Sequence, residues 1–435
     1  MRLALATLVI AAALAPSALA QSSNMTLVGQ LDPRPEGYAD IWGYAAPNGR
    51  EYAVLSTRSD GGMTVIDVTT MPPVEVEFFP GSGGQGSDVE MYGPYVYYSD
   101  DQAPTRIVSL ANPADPVFVG SFGTDAHTIS VAGGYLFTQG GPSPSGVMIY
   151  SLANPESPVL VGQYQPGFYI HDILVVGDVM YTAGIYGDGI DIVDISNPAS
   201  PQLINRFDYP GSGAHNICAD ASGDYVYVGD EIGSGQWTRI FDVSDPMNVT
   251  QVGEIILTPS TTVHNCHVKG NLLYLGYYDG YGARVYDITN PTAPVEIAYY
   301  ETGTGMMWSV YPHLPSGKVL GSLYQGGGLR VFTLDTVVNG EGGPETPAAL
   351  ALAAPSPNPV SGAADLRFTL PEATRHAQLA VYDALGRTVA TLHEGALGAG
   401  THARRFDASV LPAGVYFARL EADGRAATQA LTVVH

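Results

Sequence analysis

One two-strand phrase recurs through most of the chain and restricts it to a repeat architecture. Gly146–Tyr164 reads GVMIYSLANPESPVLVGQY, and Gly189–Phe207 reads GIDIVDISNPASPQLINRF. The pattern returns at Thr105–Phe122, Thr238–Ile255 and Ala283–Tyr300, in a weaker form from Met63 and truncated from Leu329. Seven copies at roughly 40- to 50-residue spacing fall in the range of propeller blades. Each of the five full copies alternates β-branched and polar residues, turns at Asn-Pro or Asp-Pro, and alternates again. Two more short strands precede each pair, as in HDILVVG and DVMYTAG from His171. Each unit is therefore expected to be a four-stranded antiparallel sheet. The seventh copy lacks its last strand, and Met25–Leu31 (MTLVGQL) matches the fourth-strand runs PVFVGSF and PVLVGQY. The expectation is a ring of seven sheets closed by the N-terminal strand, which hides an open sheet edge.

Composition agrees with an all-β chain. It has 52 Gly, 32 Pro and 27 Tyr against 12 Phe, which suits short strands and tight turns. A net charge of −24 makes nucleic acid and anionic lipid poor partners. It serves solubility, or cation binding.

The first residues read as a processing segment. Arg2 is followed by the apolar run Leu3–Leu14 and by Ala18-Leu19-Ala20, an A-x-A cleavage site that leaves Gln21 as the mature start. That run is too short for a permanent membrane span, and no later stretch is apolar enough for one.

The phrase GIDIVDISNP resembles the LVIVD repeat family of extracellular bacterial propellers, and Met307–Leu334 resembles the closing blade of its choice-of-anchor B members. That likeness implies a surface location and no particular activity. The last 80 or so residues resemble the type A sorting domain of the type IX secretion system, through Asn358, Pro359, Val381, Tyr382, Asp383, Gly386, Arg387, Pro412, Gly414, Val415 and Tyr416. The resemblance implies that the tail engages the type IX machinery and delivers the protein outside the cell or onto the outer-membrane surface. The expected layout is a signal peptide (1–20), a seven-bladed propeller (21–337, closed by 25–31), a linker (338–354) and a small immunoglobulin-like β-sandwich (355–435). Expected strands in the tail are Ala364–Leu370, Ala377–Tyr382, one ending near Leu420, and Ala427–Val434.

Chemistry is expected around the central channel. Four of the ten histidines, His127, His171, His215 and His264, hold one repeat position at the start of a blade's first strand; the other blades place Ala39, Ser87 and Trp308 there. The next position reads Asp40, Asp88, Thr128, Asp172, Asn216, Asn265 and Ser309. First strands are innermost, so two polar rings should meet the loops that carry Asp100, Asp101, Tyr186, Asp188, Asp230, Glu231, Tyr278 and Asp279 at one mouth. Two readings stand. Such residues can simply bond neighbouring loop backbone. Alternatively, the four imidazoles can bind a ligand or a divalent metal with nearby carboxylates. Trp42 and Trp308 read as packing residues near the seam, though an aromatic at a mouth can stack a sugar. No HExxH, CxxC, P-loop, GxSxG or EF-hand spacing names a cofactor. Cys218 and Cys266 sit in neighbouring blades, either bridged or, as the favoured reading, as two buried thiols, because a bridge demands close Cα atoms. The leading functional expectation is a binding or scaffold protein for a glycan, peptide or metal-bound ligand. The alternative is an extracellular hydrolase or lyase using mouth His or Asp residues.

Overall fold

The computed structural model describes residues 21–335, apart from 35–36, 141–145, 234 and 326, and residues 350–434, apart from 353–354, 356–357, 371–373, 384–386, 399, 410 and 423–424. The expected signal peptide, most of the expected linker, and Gly386 of the tail motif lie outside the described residues.

The repeat phrase folds as it does for local reasons. Asp67, Asp194, Asp242 and Asp287 end third strands, and each carboxylate accepts the backbone N–H two residues on, at 2.8 to 3.0 Å. Asn197, Asn290 and Asp245 then cap the next turn in the same way. These side-chain-to-backbone bonds stop the strand and reverse the chain before the fourth strand. At the other end of the third strand, Gly189 and Gly282 have φ of +81° and +69°. A Cβ there would lie 2.5 Å from the carbonyl of Phe207 and 2.1 Å from that of Tyr300, so only glycine fits.

The result is seven consecutive antiparallel sheets of four strands each. Their inner strands are Tyr38–Ala45, Gly86–Tyr92, Thr128–Ala132, Asp172–Val176, Ala214–Ala219, Val263–Lys269 and Met307–Tyr311. Six sheets are built from strands consecutive in the chain. The seventh takes its outer strand from Met25–Leu31, which pairs with Gly328–Leu334 from Met25 opposite Leu334 to Leu31 opposite Leu329. Just before it, Ser22–Ser23 adds a short fifth strand to the edge of the sixth sheet, beside Tyr299 and Tyr300.

Apolar clusters pack each sheet on the next. Tyr52 and Val65 meet Val89 and Tyr98 between the first two sheets. Equivalent clusters follow at each later junction. The last joins Tyr311, Leu320 and Val331 of the seventh sheet to Tyr38, Ile41 and Leu55 of the first, so the ring is closed. Burial of such faces is the main stabilising term in a fold with no helix among the described residues.

The tail forms two further sheets, Ala351–Leu352/Ala363–Leu370/Gly400–Asp407 and Thr388–Leu397/Thr374–Tyr382/Gly414–Ala422/Arg425–Val433, over a core that includes Phe368, Leu379, Val381, Tyr416 and Leu420. Its motif residues hold turns together. Asn358 bonds the backbone of Ala430 and Thr432, Arg387 pairs with Asp383 at 2.7 Å, and the Tyr416 hydroxyl donates to Pro412. The strand Thr388–Leu397 was not among those expected.

Candidate functional site

Simple alternation would point only one of two adjacent residues into the channel, yet both polar rings face it. The cause is a bulge at each inner-strand entry. Pairing with the second strand slips between Tyr38 and Ile41, Gly86 and Val89, Ala214 and Asn216, Val263 and Cys266, and Met307 and Ser309. In the third and fourth sheets, His127 and Thr128 both oppose Gln139, and His171 and Asp172 both oppose Ala183. A bulge sets two residues against one and re-aims their side chains.

All of His127, His171, His215, His264, Asp40, Asp88, Asp172, Asn216, Asn265 and Trp308 line one cavity of about 300 Å³ along the channel. The imidazoles form an arc. Ring centroids are 4.7 Å apart for His127–His171, 4.2 Å for His171–His215 and 4.0 Å for His215–His264, and Trp308 extends the arc at 4.2 Å. Tautomers follow from the hydrogen bonds. His171 Nδ1–H donates to the carbonyl of His215 at 3.1 Å, and His264 Nδ1–H to that of Trp308 at 2.9 Å. Their Nε2 atoms therefore carry the lone pairs. His127 Nε2 lies 3.1 Å from His171 Nε2, while its Nδ1 lies 2.9 Å from Asp101. His215 Nδ1 is buried with no partner. Burial, reinforced by neighbouring imidazoles, pushes the pKa of His171 and His215 well down. Burial takes His264 to about 3. These three rings are neutral at physiological pH.

Above the arc sits a cap built from the first residue after the second strand of five of the sheets. Arg58, Asp101, Glu231, Tyr278 and Tyr324 all donate their backbone N–H to the segment just before the inner strand, at Gly37, Gln85, Gly213, Thr262 and Met306. Glu231 Oε2 is 3.6 Å from His215 Nε2, and Oε1 is 3.9 Å from His264 Nε2. Burial raises the Glu231 pKa against the pull of His127 and a hydrogen bond from Tyr278. The Tyr278 ring stacks on His264 at 4.9 Å. The Arg58 guanidinium donates to Gly86 O and Ser87 Oγ at 3.1 Å and lies 5.3 Å from the Trp308 ring centre.

Below the arc lies a carboxylate layer. Burial raises Asp40, Asp88 and Glu90, and takes Asp172 to about 7. The neighbouring Asp40 and Glu90 charges raise Asp88 further. The layer also stitches blades. Asp88 accepts the N–H of Ile129 at 2.8 Å, Asp172 that of Ile217 at 3.2 Å, and Asn216 that of Cys266 at 2.8 Å. Asn265 reaches Asp40 at 3.1 Å. This ring has the bland role of bonding neighbouring backbone, whereas the histidine Nε2 atoms do not. At the far end, Trp42, His267, Tyr311 and His313 pack edge to edge. Trp42 thus packs, while Trp308 lines the arc.

Some expectations are corrected. Asp100 and Asp230 are fully buried behind the mouth, tied to Ser82 and Gln102 and to Tyr209, Gly213 and Arg239. They cannot serve as mouth ligands. The favoured two-thiol reading also fails: Cys218 and Cys266 form a disulfide across the fifth and sixth blades, with Cα atoms 6.1 Å apart. The bulges before both residues bring these inner strands into reach. Sequence reasoning missed Arg58, Glu90, His267 and His313. Alternation two residues on from Asp88 and Asn265 reaches Glu90 and His267, and alignment with Asp101 and Glu231 reaches Arg58.

Comparison with known proteins fits this geometry. The LVIVD repeat matches residues 83–124, 169–209, 219–255 and 262–302. The secretion system C-terminal sorting domain matches residues 356–434. A search of curated proteins finds no match. Among solved structures, the β-propeller domain of Cps50 (Swd1) from Myceliophteria thermophila aligns at 12% identity with a TM-score of 0.54, covering 71% of this chain and 99% of that one. A functionally unknown protein from Desulfotomaculum acetoxidans aligns at 15% identity and a TM-score of 0.48, over 68% and 88%. At such identity the first of these likenesses concerns the fold alone. Among the described residues, no helix is long and apolar enough to cross a membrane. The chain is a β-propeller with LVIVD repeats and a type IX sorting tail, a protein secreted or attached to the outer cell surface.

Proposed function

We propose that this propeller is an extracellular binding protein that takes its ligand at the channel mouth, between the imidazole arc and the cap of Arg58, Glu231 and Tyr278. The observation that carries this reading is His215. It is only 3% exposed, its Nδ1 has no partner, and its Nε2 faces Glu231. A buried polar atom left unpaired costs about 1–3 kcal/mol unless something binds it. The remaining histidines and Trp308 supply further contact surface, and aromatic and imidazole faces suit a compact polar ligand. The test is a melting-temperature panel on the mature protein with divalent cations, oligosaccharides and short peptides. At least one class should stabilise the wild type and fail to stabilise Trp308→Ala and His215→Ala. Stabilisation by none, or equal stabilisation of both variants, refutes the reading.

A hydrolytic reading has one supporting observation, the raised pKa of Glu231 beside neutral imidazoles, which suits a general base. It requires turnover of ester or phosphoester model substrates that Glu231→Gln abolishes.

A further inference from the structure

The geometry points to the ligand class at this mouth: we infer that His171, His215 and Glu231 form a binding site for a divalent transition-metal ion, with His127 beside it. The inference rests on the mouth-binding reading and deepens it. One ligand atom from each of His171, His215 and Glu231 lies within 4.8 Å of the other two. In a tetrahedral site with metal–nitrogen bonds near 2.0 Å, ligand atoms sit about 3.3 Å apart, so small ring and carboxylate rotations close the set.

Three features separate this cluster from a chance grouping. First, His171 donates Nδ1–H to a backbone carbonyl and so presents Nε2, the arrangement that orients metal-bound imidazoles. Second, His127 Nε2 approaches His171 Nε2 to 3.1 Å. Two nitrogen lone pairs at that distance repel unless a hydrogen or a cation lies between them, and 3.1 Å is close to the separation of two ligands on one ion. Third, the almost completely buried His215 places its Nε2 3.6 Å from Glu231 Oε2, close to the separation of two ligands on one ion. Nearby groups complete the setting: His264 and Tyr278 border Glu231, and Asp101 holds His127. Two or three imidazoles with one carboxylate favour zinc, copper, cobalt or nickel over calcium or magnesium, which prefer all-oxygen sets.

The test uses the mature full-length chain, stripped with a chelator and dialysed against zinc, copper or calcium alone. Mass-spectrometric metal analysis should find one equivalent of zinc or copper and none of calcium. Copper loaded at one equivalent should show nitrogen splitting from at least two imidazoles in its electron paramagnetic resonance spectrum. His171→Gln and His215→Ala should each weaken binding at least about 100-fold, since even outer-shell changes cost 10–100-fold. Glu231→Gln, at a partly exposed position, should weaken it while leaving the melting temperature of the metal-free protein unchanged. His313→Ala, at the far end of the channel, should bind as the wild type does. Absence of a stoichiometric metal, or binding indifferent to all three mouth substitutions, overturns the inference. If metal is absent but an oligosaccharide or peptide stabilises the protein through Trp308, the metal site falls and mouth binding stands. If nothing binds, both fall.

Discussion

Replacing His264 by glutamine should make the propeller less sensitive to acid. His264 is 1% exposed, and burial lowers its folded-state pKa to about 3 against about 6.5 in the unfolded chain. A depressed folded pKa means that the folded state holds the neutral ring. Its contribution is whole above pH 6.5 and is lost as pH falls toward about 3. At pH 5 the unfolded imidazole is about 1.5 units below its pKa and the folded one is still neutral, so wild type loses about 2 kcal/mol through this group. Glutamine keeps a donor for the Trp308 carbonyl, which His264 Nδ1 holds at 2.9 Å. The neighbours within reach are Glu231 at 3.9 Å, the His215 and Tyr278 rings, and Trp308. The assay is urea unfolding at pH 7.5, 6 and 5 in chelator, followed by tryptophan fluorescence. The stability gap between wild type and His264→Gln should shift by about 2 kcal/mol in the variant's favour between pH 7.5 and 5. Parallel pH profiles would refute the claim that this ring is held neutral by burial.

Further expectations follow from other parts of the molecule. Asp172, raised to about 7, carries the opposite sign: its contribution is whole below about pH 3.9 and is lost as pH rises through 7, so Asp172→Asn should flatten a loss of up to about 4 kcal/mol across that window in the same urea experiment. Met25 is 1% exposed in the cluster between the sixth and seventh sheets, and Met25→Ala should cost about 2–5 kcal/mol by denaturant titration. The 48-residue separation of Cys218 and Cys266 implies about 4 kcal/mol from the disulfide, read as the stability lost in the Cys218→Ser/Cys266→Ser double variant under non-reducing conditions. Deleting residues 355–435 should keep the propeller inside the outer membrane, seen by fractionating cells and probing intact surfaces.

The repeat phrase made the sheets legible because its signals are local. Asp194 followed by Asn197 and Pro198 stops one strand and starts a turn whatever surrounds it. The pairing partner of Met25–Leu31 was legible too, since the seventh copy lacks a strand that this segment matches. Histidine spacing located one ring of the site, because residues at equal repeat positions occupy equal places around the axis. Arg58 was hidden because its sheet offers arginine where others offer Asp101, Glu231 or Tyr278, so no residue type repeats. The buried fate of Asp100 and Asp230 was hidden as well, since one residue of loop register separates them from Asp101 and Glu231 at the mouth.

Turn chemistry, strand alternation and copy number were thus determined by the sequence alone: all act within a few residues or by simple counting. Whether imidazole nitrogens meet carboxylates, and whether two cysteines meet each other, depended on sub-ångström placement across blades far apart in the chain. Only the closed ring decides that, because packing of each sheet on the next and the entry bulges set where side chains from separate repeats converge.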